Sequence, residues 1–143
     1  MALDPSVIGR TSPPSAPYEV AREKIREFAD AIGDPNPAYR DPDAAKALGH
    51  PDVVAPPTFP IVFTFAASEP LLTELGIELS RVVHGEQRFS YARPVHPGDR
   101  LRCAVTVENI RAMAGNELLT TRTDVATVDG EAVLTAWSML VVR

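Results

Sequence analysis

The sequence predicts an α+β fold in which an antiparallel sheet wraps around one long buried helix. Three observations carry that reading. Over residues 58–75 the chain is apolar nearly all round, through Phe59, Ile61, Val62, Phe63, Phe65, Ala66, Ala67, Leu71, Leu72 and Leu75. A helix apolar on every side is a buried helix. After Gly76 the hydrophobic period becomes two, in segments over 82–91, 101–111, 118–128 and 132–142, as half-buried strands require. The connections between them are short, with Gly115-Asn116 and Asp129-Gly130 as turns. Such turns join antiparallel neighbours.

The elements before the central helix follow from local chemistry. Residues 1–18 hold Pro5, Pro13, Pro14 and Pro17 and read as an extended arm, not a helix. Over 19–32, Ala21, Ile25, Phe28, Ala29 and Ile32 recur at helical spacing, with Arg22, Glu23, Arg26 and Glu27 opposite and Gly33 as the stop; this predicts an amphipathic helix. Seven of the 14 prolines then fall between Pro35 and Pro60. Within that stretch a short helix is expected over 41–48, with Asp41 as N-cap, Pro42 at the first helical position and Gly49 at the end. The remainder reads as rigid loop, where sites often sit. Pro60 is tolerable in the first turn of the central helix, and Pro70 is expected to kink or end it. Residues 93–99 form a turn. Cys103, alternating with Leu101, Val105 and Val107, reads as a core residue.

A chain of 143 residues, 45% hydrophobic and 23% charged, fits one domain over 1–143. A net charge of -5 argues against nucleic acid or an anionic membrane as the main partner. One cysteine permits no internal disulfide. There is no leader-like segment and no apolar run near the roughly 20 residues that span a bilayer, so the cytoplasm is the expected location. No Walker loop, GxGxxG, CxxC or HExxH is present, and no metal or cofactor is expected. His84 and Glu86 form a His-x-Glu pair on a strand, but two ligands without a third do not make a metal site. His84 is therefore expected at a surface or interface, and His50 and His96 in loops. A single curled sheet leaves an edge and a face to cover, so a dimer is expected.

The stretch Phe28-Ala29-Asp30-Ala31-Ile32-Gly33-Asp34-Pro35-Asn36-Pro37-Ala38-Tyr39 resembles the signature of MaoC-like (R)-specific enoyl-thioester hydratases. Asp41, the Ala44-Ala45 pair and Val53-Val54-Ala55-Pro56-Pro57 continue the match without a gap. Pro94-Val95-His96-Pro97-Gly98-Asp99 resembles the family's Pro-Val-x-x-Gly-Asp turn. The resemblance covers most of the chain and implies a hot-dog fold, paired as a double hot-dog. It also implies a site. An Asp and a His, spaced as Asp34 and Tyr39 are here, hold and activate the water added to or lost from an acyl thioester. A backbone N–H at the start of the central helix polarises the thioester carbonyl.

Both parts of that site depart from the family pattern. Asp34 is retained, but the His position is Tyr39, whose reference pKa near ~10 makes a poor general base. The position of the oxyanion glycine is Pro57, which has no N–H. The chain is similar in this to the non-catalytic subunit of heterodimeric actinobacterial (R)-3-hydroxyacyl-ACP dehydratases, a likeness extended by Met1-Ala2-Leu3 and by the run from Tyr18 to Phe28. The resemblance implies an acyl-channel-forming subunit, inactive alone, acting on acyl-ACP or acyl-CoA thioesters as a heterodimer with a catalytic MaoC-like subunit. Asn36, Pro57, Thr58, Phe59 and Phe63 are then candidates for substrate contact, with Asp34 vestigial and Tyr39 in place of the dyad histidine. Plainer readings stand beside these: Asp34 as a turn residue, Asn36 as a loop hydrogen-bonder, Tyr39 packed in the former cleft, and Phe59 and Phe63 as core. Two other functions stay open, an independent hydratase or thioesterase and a non-enzymatic homodimer binding acyl or small ligands.

Overall fold

A computed structural model describes residues 2–143; Met1 of the opening Met1-Ala2-Leu3 lies outside them. Five strands form one antiparallel sheet: β1 (Tyr18–Glu19), β2 (Val82–Tyr91), β3 (Arg100–Met113), β4 (Asn116–Thr127) and β5 (Ala132–Val142), in the order β1-β3-β4-β5-β2. Three helices precede β2: α1 (Arg22–Ala31), α2 (Pro42–Ala47) and α3 (Ile61–Glu74). The sheet curls around α3, which is the hot-dog arrangement expected from the sequence.

The boundaries moved where backbone pairing overrode periodicity. Helix α1 starts at Arg22, not residue 19, because Tyr18 and Glu19 pair with Leu101 and Arg100 on β3. Val20 stays extended too, its N–H donating to Asp99 O at 2.9 Å. Helix α3 starts at Ile61, since 58–60 are used in a tight turn in which Phe59 N–H donates to Pro56 O. Pro70 does not end α3, which runs on to Glu74. The helical bond Pro70 cannot donate would go to the carbonyl of Ala66, an exposed residue that water can serve. The all-round apolar pattern also overstated burial within one chain. Phe63, Thr64, Ser68, Leu71 and Leu72 are buried, while Ile61, Val62 and Phe65 are half-buried and Ala66 is exposed.

The arm is extended apart from a 3₁₀ turn at Pro5–Val7 capped by the Asp4 carboxylate. It runs along β3 and uses up that edge. Gly9 N–H donates to Val107 O, Ser12 N–H to Val105 O and Ser15 N–H to Cys103 O, each at 2.8 Å. The Ser12 and Ser15 hydroxyls accept in turn from the backbone N–H groups of Val105 and Cys103. Arg10 pairs with Glu74 at the end of α3. The opposite edge, β2, pairs with β5 on one side and, among the described residues, with no strand on the other.

The core falls into two apolar clusters. One gathers Ile25, Ala29, Phe59, Phe63, Cys103, Val125 and Leu134. The other gathers Leu3, Leu71, Leu72, Ile77, Val105, Val107, Leu119 and Leu140. Cys103 is buried as expected, and burial pushes its thiol up to about 11. Between the clusters the inward row of the sheet turns polar. Thr121 on β4 lies opposite Ser138 on β5, which lies opposite Gln87 on β2. Thr64 and Ser68 of α3 are buried as well, their hydroxyls turned back to the carbonyls of Pro60 and Phe65. No helix among the described residues is long and apolar enough to cross a membrane.

Candidate functional site

Three segments converge where the chain enters α3. The first begins at the end of α1. Gly33 takes φ +70, a left-handed conformation that lets the next N–H, on Asp34, return to Ala29 O at 3.0 Å. Asp34 and Asn36 then build consecutive turns. The Asp34 carboxylate accepts from Asn36 N–H at 3.1 Å, and the Asn36 side chain accepts from Ala38 N–H at 3.0 Å. This caps a 3₁₀ turn over Pro37–Tyr39 and delivers Tyr39 to a buried position. Arg40 locks the loop, donating to Asp34 O at 2.6 Å and to the Asp30 carboxylate at 2.7 Å.

The second segment leaves α2 through Leu48 and His50 and runs along Val54 and Ala55 to Pro57. The third is the end of β2 with Arg93-Pro94. Arg93 is fixed by both oxygens of the buried Asp99, at 2.9 and 3.0 Å, and by Glu131 at 3.0 Å. Those carboxylates push the Arg93 guanidinium still further into its charged form, and Arg93 in turn holds Glu131 below the usual carboxylate range. The Asp99 carboxylate also accepts from His96 N–H at 3.1 Å. The family-like turn at 94–99 is thus a brace for this wall.

These segments enclose a cleft of about 460 Å³. Of the residues singled out in the sequence, Asn36, Tyr39 and Pro57 line it. Asp34 is half-buried beside it with its carboxylate engaged in the turn, and Thr58 is exposed. Phe59 and Phe63 sit in the core at 0% and 5% exposure. There Phe59 stands edge-on to Phe28 at 5.6 Å, and Phe63 stacks on Tyr18 at 4.9 Å. The cleft also contains His50, Tyr91 and Arg93, which the sequence reading left out. For Tyr91 a signal existed: it continues the inward parity of Phe89 to the end of the strand. His50 carried none, because only the return of the loop after α2 brings it there.

The chemistry of the cleft is limited. Its walls are mostly apolar, and no carboxylate lines it. Burial, and then the nearby Asp34 charge, push the Tyr39 phenol further above its ordinary value, opposed by the Asn36 side chain. Tyr39 is therefore a hydrogen-bonding hydroxyl at neutral pH, not a base. Pro57 presents no N–H, and its carbonyl is taken by the Tyr91 hydroxyl at 2.6 Å. His50 is the one imidazole in the cleft. No group of three or more metal-ligating side chains occurs among the described residues. The His84-x-Glu86 pair does not even share a face. A bulge between them sets His84 opposite Leu140 and Glu86 opposite Met139, on opposite faces of the strand, and both residues are exposed. The bulge falls at Gly85, where a Cβ would come within 2.8 Å of Met139 Cε.

The fold is that of the hot-dog dehydratases, with a cleft at the entrance of the central helix. Within that class the chain belongs to the FAS1-like dehydratase domain family, whose family model matches residues 6–136. It is 60% identical to a UPF0336 protein of Streptomyces coelicolor over 145 residues, covering 100% of this chain and 97% of that one. Among solved structures it is similar to a MaoC-like dehydratase (TM-score 0.89, 32% identity), covering 96% of this chain and 42% of that longer one. It is also similar to the truncated HadBC complex of Mycobacterium tuberculosis, named as a 3R-hydroxyacyl-ACP dehydratase (TM-score 0.83, 28% identity), covering 94% of this chain and 96% of that one.

Proposed function

We propose that this chain, as one hot-dog unit over 1–143, is the non-catalytic, channel-forming subunit of an (R)-3-hydroxyacyl-thioester dehydratase. Its partner is a MaoC-like chain that keeps both Asp and His. The observation that carries this reading is the lining of the cleft: Tyr39, a phenol, and Pro57, which has no N–H, stand at the entrance of α3, at the positions where the family resemblance calls for a base and an oxyanion donor. The likeness to HadBC, a dehydratase named for two subunits, supports a paired role and favours acyl carrier protein over coenzyme A as the thioester's bearer. The free β2 edge and the half-exposed flank of α3 are what a partner would cover. The work would take place in the cytoplasm.

The test is to purify this chain alone and mixed with a dyad-bearing MaoC-like chain, and to follow loss of enoyl-thioester absorbance. Turnover is expected in the mixture and not in the isolated chain. Mixed activity should survive Asp34→Asn here and vanish when the partner's aspartate is changed. Turnover by the isolated chain that is lost in His50→Ala would establish instead an independent hydratase using the cleft imidazole.

A further inference from the structure

We infer that the outer face of the sheet carries a ligand site separate from the cleft, a pocket between Arg88 and Arg111 that takes a small phosphate-bearing molecule.

The register of the strands builds this pocket. On β4 the inward residues Leu119, Thr121 and Thr123 are buried, so Thr120 faces out. Its neighbours in register, Asn109 on β3, Met139 on β5 and then Glu86 on β2, share that outer row. Arg88 and Trp137 stand opposite each other one step to one side of the row. Arg111 stands one step to the other side, on β3. These residues enclose about 260 Å³. None of them lines the cleft at the entrance of α3. The volume falls a little below the roughly 300–1,000 Å³ of sites for drug-sized molecules, so the ligand is compact.

The lining sets two guanidiniums against one carboxylate, that of Glu86. Glu86 pairs with Arg88 Nε at 3.3 Å, and the Arg88 guanidinium lies over the Trp137 ring, 4.8 Å from its centroid. Held by the indole on one face and the carboxylate at one edge, Arg88 points its two terminal nitrogens as a fork that matches two oxygens of an oxyanion. Arg122, on the same face, is neutralised by Glu108 at 3.5 Å and Asp124 at 3.2 Å. Arg111 has no such carboxylate among the described residues. The Asn109 amide and the Thr120 hydroxyl add neutral donors. The donors thus come from three strands and from several directions. A carboxylate accepts in one plane, whereas the oxygens of a phosphate point to the corners of a tetrahedron, and it is the phosphate that such a set of donors can surround. The chain carries a net charge of -5, which repels anions in general, so attraction at this place comes from the pocket itself.

Trp137 is the one tryptophan of the chain, and its emission reports on this pocket alone. At constant ionic strength the chain is titrated with inorganic phosphate, inorganic diphosphate and glycerol 3-phosphate, with chloride as control. A saturable change is expected from at least one phosphate, with a Kd of about 1 mM or lower, and none from chloride. Equal binding of the inorganic ions and the ester makes a free ion the ligand. Tighter binding of the ester makes the phosphate one end of a larger molecule. Arg88→Gln and Arg111→Gln each remove a charge-assisted bond at an exposed position and should weaken binding at least about tenfold. Calorimetry supplies the constant for Arg88→Gln, since that change also alters the surroundings of the indole. Arg102→Gln makes the same charge change on the same face outside the pocket and should leave the constant within about twofold. No saturable response to any of the three phosphates at about 10 mM, or equal weakening by Arg111→Gln and Arg102→Gln, would overturn the proposal.

Discussion

The hydroxyl of Tyr91, the last residue of β2, donates to the carbonyl oxygen of Pro57 at 2.6 Å, tying the free edge strand to the entrance of the central helix. Burial pushes the Tyr91 phenol well above its ordinary value, so the donor keeps its proton into strongly alkaline solution. A neutral hydrogen bond of this kind contributes about 1 kcal/mol net. Tyr91→Phe should therefore lower the unfolding free energy by that amount, read as a drop in the urea midpoint at unchanged slope, while leaving the ring's packing in place. An unchanged midpoint would show that the strand and the helix entrance are held without it.

On the function proposed above, hydratase activity should be absent until Tyr39 and Pro57 are both replaced. Removing a general base costs on the order of 10²–10⁴ in rate, and losing an oxyanion donor a further ~10²–10³. Tyr39→His alone should not restore hydration of crotonyl or longer enoyl thioesters, because Pro57 still has no N–H. The pair Tyr39→His with Pro57→Gly is the better rescue. It requires the Asp34 carboxylate to turn from Asn36 N–H towards the cleft. Strong activity from Tyr39→His alone would mean that another group, such as the exposed Thr58 N–H, already serves as the donor.

The Arg93 brace should matter more than its surface position implies. Asp99 is 6% exposed and takes both of its close cationic bonds from Arg93. Arg93→Met leaves that carboxylate buried with His96 N–H as its remaining close donor. Breaking a buried ion pair costs about 3–5 kcal/mol, and the 23% exposure of Arg93 moves the expectation below that range, to about 2–3 kcal/mol. Arg93→Met with Asp99→Leu should recover part of it. Chemical denaturation of the two variants measures both numbers, and a neutral Arg93→Met would remove the brace from the account.

Cys103 gives a pH dependence with a defined sign. Its pKa rises from the ordinary 9.0 to about 11 because burial penalises the thiolate. A raised folded-state value contributes stability that is complete below pH 9 and lost as pH climbs through 11. The loss is on the order of 2–3 kcal/mol at 1.36 per unit. Other groups titrate in the same window, so the observable is a difference. Cys103→Ala should lose less stability than the parent between pH 8.5 and 11. Parallel curves for the two proteins would contradict the assignment.

The central helix, the β3-β4-β5 hairpins and the Asp41 cap were legible because each is written locally, in period, turn residues or cap chemistry, whereas the pairing of β2 with β5 and not with β3 was not. The hot-dog architecture followed from putting them together. What escaped the sequence depends on contacts distant in the chain. Arm residues with proline-rich composition gave no sign that Gly9, Ser12 and Ser15 would bond to β3. The all-round apolarity of α3 could not tell which of its apolar residues the chain's own sheet covers and which it leaves half-buried, as it does Ile61, Val62 and Phe65. At the site, the turn roles of Asp34 and Asn36 and the burial of Tyr39 were readable, and Phe59 and Phe63 took the plainer of their two readings. His50 entered the cleft only through the path of its loop. The split of His84 from Glu86 required the bulge at Gly85, and one extra residue in a ladder reverses the face of everything beyond it.

The arm along β3 has a consequence best put in the language of polymers. A strand sheet with two open edges is a bifunctional monomer, and copies of it can add indefinitely at both ends. With Gly9 to Glu19 bonded along one edge, each chain here has a functionality of one, and any growth by edge addition terminates at the first union. Stripping away that segment would convert a chain terminator into a chain extender, with the backbone groups of Cys103, Val105 and Val107 as the second reactive end.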